Sequence, residues 1–126
     1  MNTKKERKFN LEERLIDYAV LISELVELLP NSKMSNYIGG QLIQSGTSPA
    51  LNYGEAQSTE STNDFIHKLK IILKELRESN ICIKILFRKS YPEINDLTIS
   101  AQTETNELIS IFVKSIQTAK ANSNKK

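Results

Sequence analysis

The amino-acid sequence predicts an all-α chain, folded as an antiparallel up-and-down four-helix bundle. Three observations carry this. Apolar residues recur at alternating spacings of three and four along long stretches, the signature of one buried helical face. The breaks between these stretches are short, and short connections force neighbouring helices to run antiparallel. No stretch alternates β-branched with polar residues, so no sheet is expected.

Helix 1 is expected over roughly 11–29. Leu11, Leu15, Tyr18, Ile22, Leu25 and Leu29 form its seam, widened by Ile16, Ala19 and Val26. Asn10 can cap it, with Glu13 three residues on, and Pro30 stops it because proline disfavours helical geometry in the residue before it. Helix 2 is expected over roughly 36–58 despite Gly39, Gly40, Gly46, Pro49 and Gly54. Tyr37, Ile38, Leu42, Ile43, Leu51, Tyr53 and Ala56 keep helical spacing, and Ser45, Pro49, Asn52 and Ala56 form a stripe of compact side chains. The reading is a helix kinked near Pro49, which removes one backbone bond; two short helices are the alternative. Helix 3 is expected over roughly 63–89, with Thr62 or Asn63 as cap. Its seam is Phe65, Leu69, Ile72, Leu76, Ser79, Ile83 and Leu86, flanked by Ile66, Leu73, Asn80 and Phe87. Helix 4 is expected over roughly 93–121, following Tyr91-Pro92. Its weaker seam is Ile94, Leu97, Ala101, Thr105, Leu108, Phe112 and Ser115, with Glu93 and Asp96 at its start and Lys120 at its end to suit the helix dipole.

The 126 residues fit one domain, 1–126, with 1–8 and 121–126 as basic, flexible tails. Residues 1–8 carry net +3 and residues 120–126 net +3, so a total of +2 leaves −4 on the body between them. The composition, 39% hydrophobic and 25% charged, is that of a folded globular chain. No apolar run approaches the ~18 residues that cross a bilayer, so no membrane association is expected. The start of the chain is too polar for a secretory signal, and the single Cys82 cannot form an internal disulfide. A cytoplasmic location is the expectation.

No pattern of catalytic or metal-ligating residues stands out. His67 is the only histidine, and Asp64-x-x-His67 alone cannot build a bundle metal site. Ser45-Gly46-Thr47-Ser48 is not a nucleophile elbow, and Gly39-Gly40 is not a phosphate loop. Cys82 lacks a nearby base in sequence and reads as a small core or flank residue. A non-enzyme without cofactor or metal is expected. Glu75 flanks the helix 3 seam and needs a partner; Ser45, Asn52, Glu55, Glu75 and Glu78 are read as a polar network that fixes helix register, with paired catalytic carboxylates as the competing reading.

Charge is distributed unevenly over the helices. Helix 1 carries five carboxylates against Arg14 alone, net −4; residues 61–90 carry seven Lys/Arg against three Asp/Glu, net +4. Lys70, Lys74, Arg77, Lys84 and Arg88 form a stripe opposite the seam of helix 3, with Ile81 filling its gap. The stripe is either a solvated face, one paired with acidic helix 1, or a row of phosphate contacts for RNA. No aromatic residues interleave it, so base stacking is not indicated.

Residues 41–48, then Asn52, 55–57, 64–69 and 73–79, closely resemble the bacterial four helix bundle protein family, also called the 23S rRNA intervening-sequence protein family. The resemblance runs from helix 1 to helix 4 and is densest over 41–86. It implies an antiparallel four-helix bundle that assembles as a ring-shaped homopentamer. It further implies a non-enzymatic module with an RNA or ribonucleoprotein partner, or, as in the similar accessory protein of diversity-generating retroelements, a reverse-transcriptase partner bound through a basic surface. The chain departs from the family pattern at Pro49, where an aliphatic residue is usual, and at Ile81 and Cys82, near which relatives often carry aromatic residues.

Overall fold

The four apolar stripes fold into four α-helices, seen in a computed structural model that describes residues 10–124. They are α1 (Leu11–Glu27), α2 (Lys33–Ala56), α3 (Thr62–Lys89) and α4 (Asn95–Asn124), with one 3-10 turn, Pro92–Ile94, before α4. No strand occurs among the described residues. Neighbours in sequence pack on each other, and α1 closes the square against α4 more sparsely, so α1 and α3 occupy opposite corners.

The first three helices each start where a side chain satisfies an orphan backbone donor. Asn10 accepts from the Glu13 N–H at 3.1 Å, as its position suggests. Ser32 accepts from the Ser35 N–H at 3.1 Å, which moves the start of α2 back to Lys33. For α3 the cap is Ser61, accepting from Asp64 N–H at 3.1 Å, rather than Thr62 or Asn63. Ser90 ends α3 in the left-handed region, φ 57°, the one described residue other than glycine with positive φ.

Further boundaries differ from expectation, and α2 ends at Ala56 rather than Ser58. Helix α1 stops at Glu27, before the restricted residue preceding Pro30. Helix α4 begins at Asn95, because Pro92 opens the 3-10 turn instead. It then continues through residues 121–124, read from sequence as tail; Lys120, Ser123 and Asn124 line a shallow depression together with Asn63, Ile66 and Lys70 of α3. The other tail residues, 1–8 and 125–126, fall outside the described residues. Helix α2 is continuous through Pro49, so it is one helix and not two.

The core is built from the predicted seams, but Ile16 and Phe87, expected to widen those of helices 1 and 3, lie at their outer edges and stand exposed. Leu15, Tyr18, Ile22 and Leu25 of α1 meet Leu42 of α2, Leu69, Ile72, Leu76, Ile83 and Leu86 of α3, and Ala101, Leu108 and Phe112 of α4. Each fully buried Leu, Ile or Phe contributes roughly 1.5–3 kcal/mol of transfer free energy. Tyr53 and Phe112 meet edge to face, ring centroids 6.1 Å apart. In α2, however, Tyr37, Ile43 and Leu51 keep helical spacing without being buried.

Helix α2 instead packs through what it lacks. A Cβ on Gly46 would lie 2.8 Å from Cγ2 and 3.1 Å from Cβ of Ile22, itself fully buried. Gly39, two turns earlier, faces Val26 and Leu29 in the same way, at 3.2 and 3.4 Å. The two glycines bring the backbone of α2 against the side chains of α1. Gly40 has open space around its missing Cβ.

Two substitutions separate packing from helix propensity. Gly46→Ala is expected to destabilise by about 1–3 kcal/mol through overpacking of Ile22. Gly40→Ala is expected to stabilise by up to ~1 kcal/mol, since only propensity changes. Thermal or urea unfolding of the two variants checks the opposite signs.

Candidate functional site

At mid-height in the core the seams carry hydroxyls, one from each helix. Tyr18 of α1 bonds Thr105 of α4 at 2.7 Å, and Thr105 bonds the Ala101 carbonyl at 2.6 Å. Thr105 therefore donates to Ala101, and Tyr18 donates to Thr105. Ser45 of α2 and Ser79 of α3 bond each other at 2.7 Å. All four residues are buried. Burial pushes the Tyr18 phenol up, with the neighbouring hydroxyls of Thr105 and Ser79 opposing it, so the tyrosine stays neutral and acts as a donor. This layer is a closed structural network, with no cavity for a substrate beside it among the pockets seen.

The five residues read from sequence as one polar network are not brought together. Ser45 joins the layer just described. Asn52 turns back along α2 and donates to Ser48 Oγ at 2.8 Å and the Ser48 carbonyl at 3.1 Å. Glu55 pairs with Lys68 across the α2–α3 surface. Glu75 is half-buried and Glu78 exposed. Burial is the main cause that raises the Glu75 pKa, the Glu78 charge adds to it, and Lys74 opposes both. Long side chains let these carboxylates reach solvent from flanking positions, so none needs a buried partner. Like the Glu55–Lys68 pair, the ion pairs of Arg14 of α1 were missed by sequence reasoning. Arg14 grips Glu104 of α4 through Nε at 2.8 Å and Nη2 at 2.7 Å, and reaches Glu107 at 2.7 Å. Its signal was a lone cation on an acidic helix.

His67 is exposed, and no three His, Cys, Asp or Glu side chains converge among the described residues. Cys82 is buried, and burial with the Glu78 charge pushes its thiol up, away from the nucleophilic thiolate.

The outer faces carry more. Lys70, Lys74, Arg77, Lys84 and Arg88 all stand exposed along one line of α3, none in an ion pair among the described residues. The line is about 27 Å long at ~1.5 Å per residue. At its start Lys70 shares a small depression of about 270 Å³ with Lys120 of α4. On the opposite corner, α1 and α2 enclose an open groove of about 510 Å³, lined by Ile16, Val20, Ala50 and Leu51 and edged by Glu24 and Glu27. Val20 is 51% exposed and Leu51 67%. A second apolar groove of about 460 Å³ lies between Phe65 and Ile111.

An all-α bundle with a sealed polar layer and charged outer faces is thus the class of protein. No family model and no curated protein matches the chain. Among solved structures it is similar to a protein of unknown function of the S23 ribosomal protein family from Bacteroides thetaiotaomicron. The two are 30% identical with a TM-score of 0.75, covering 83% of this chain and 96% of that one. The chain belongs to the S23 ribosomal protein family.

Two substitutions test the hydroxyl layer and the flanking carboxylate. Removing both hydroxyls in Ser45→Ala/Ser79→Ala is expected to cost less than the sum of the single changes, each about 1 kcal/mol, because a single change leaves one hydroxyl unpartnered; a double-mutant cycle by urea unfolding measures this. For Glu75 the folded pKa lies above the unfolded value, so the native state holds more protons and stability falls as pH rises from the unfolded pKa through the raised one. Glu75→Gln is therefore expected to raise the melting temperature slightly at pH 7, with the gain over wild type gone below about pH 4.

Proposed function

We propose that this chain is a non-enzymatic bundle that works as a self-associating interaction module, cytoplasmic, with a protein or RNA partner. The observation that carries the proposal is the α1–α2 groove. Helix α2 holds only two charged residues in 24, Lys33 and Glu55, and exposes Met34, Tyr37, Ile43 and Leu51. Exposed apolar side chains on a helix with so few charges, beside a groove lined by Ile16, Val20, Ala50 and Leu51, mark an interaction surface. The resemblance to ring-shaped relatives suggests five copies. Light scattering at micromolar concentration is expected to give a mass near five times that of the chain; a monomer removes the proposal.

A second reading rests on the exposed line of five cations on α3. It makes the chain an RNA-binding accessory, of a ribonucleoprotein or of a reverse transcriptase. RNA retarded in a gel by wild type, but not by Lys70→Glu/Lys74→Glu/Arg77→Glu, supports it. Its affinity should fall steeply with salt, by roughly one power of salt concentration per phosphate contacted.

A further inference from the structure

The α3 stripe and the outer face of α1 have related patterns. On α1, Glu13, Asp17, Val20, Glu24 and Glu27 follow one another at spacings 4, 3, 4 and 3 along one helical line. On α3, Lys74, Arg77, Ile81, Lys84 and Arg88 follow at 3, 4, 3 and 4. Each line has two charges, one apolar residue, then two charges. The apolar residues at the centres, Val20 and Ile81, are 51% and 56% exposed. The charged residues are exposed, Glu13 partly so, and none makes an ion pair among the described residues.

Counted from Val20, the acids stand at −7, −3, +4 and +7; counted from Ile81, the bases stand at −7, −4, +3 and +7. Reversing one list reproduces the other. We propose that α3 of one copy docks antiparallel on α1 of the next, seating Ile81 against Val20 at the edge of the α1–α2 groove. Glu13 then meets Arg88, Asp17 meets Lys84, Glu24 meets Arg77 and Glu27 meets Lys74. Antiparallel packing also sets the helix dipoles head to tail, which is favourable. In the parallel direction the two inner pairs each miss by one residue, about 1.5 Å along the axis.

The second copy follows from complementarity: acid faces base, and apolar faces apolar, within one sequence. Because α1 and α3 occupy opposite corners, one copy cannot use both faces on the same partner. The contact is heterologous and repeats from copy to copy, giving a ring where the rotation closes. This deepens the self-association proposed above and rests on it. It also assigns the α3 cations to a neighbouring protein rather than to nucleic acid.

Charge reversal in trans is the test. The α1 variant is Asp17→Lys/Glu24→Lys, and the α3 variant is Arg77→Glu/Lys84→Glu. Each alone is expected to lose assembly by at least about tenfold in concentration by sedimentation, with helical circular dichroism retained. An equal mixture is expected to associate again with the two variants alternating, since the reversed α1 of one meets the reversed α3 of the other; a ring of five cannot alternate throughout, so pairs and short chains are the expected species rather than the wild-type ring. Assembly unchanged in either variant, or a mixture that stays apart, overturns the docking while leaving self-association standing. Wild type found as a monomer removes both. An α3 variant that keeps its assembly but loses RNA retention gives the stripe to nucleic acid and overturns the docking. Should a variant not fold, the wild-type protein decides: raising salt to about 1 M, where screening acts within about 3 Å, is expected to loosen the assembly. Assembly that holds or tightens would rest on apolar contact alone and overturn the charge register.

Discussion

The contact of Ile22 with the bare backbone of Gly46 is the constraint from which the position of α1 follows. It fixes how close α1 lies to α2 and therefore which residues of α1 turn outward. With Ile22 held inward, Val20 and Glu24 turn away from the core and edge the groove against Ala50 and Leu51. The α1–α4 side is sparser, and there the hold is polar: Arg14 on Glu104 and Glu107, and Tyr18 on Thr105. One helix is thus held by steric fit on one flank and by directed hydrogen bonds on the other.

The hydroxyl layer complements the apolar seams. Leu and Ile side chains drive collapse but tolerate sliding, because burial is non-directional. The Tyr18–Thr105 and Ser45–Ser79 bonds are satisfied in one register only. Any axial slip would leave buried hydroxyls without partners, and each such loss costs about 1–3 kcal/mol.

Much of this was legible in the sequence. The seams of α1 and α3 were plain because their spacing alternates three and four, and only a helix turns such residues onto one face. Ser79 and Thr105 stood visibly in seam positions. Their partners, 34 and 87 residues away, are set by tertiary packing that spacing along one helix cannot reveal. The glycines of α2 misled in the same way. Propensity marks Gly39 and Gly46 as weaknesses, whereas their use lies in what α1 places against them. The carboxylates Glu55, Glu75 and Glu78 were grouped by nearness to the seam, but flexible stems let each go its own way. The outer stripes were legible as charge patterns, since exposed positions are read from period alone.

Cys82, buried on α3 as the chain's single thiol, has a consequence of another kind. A reagent in solution reaches that sulfur chiefly when α3 parts from its neighbours. Its labelling rate therefore counts how often the bundle breathes at that point, with no foreign probe introduced. A chain so equipped reports its own opening frequency, and the presence of any partner that clamps the helices would be read as a slower reaction.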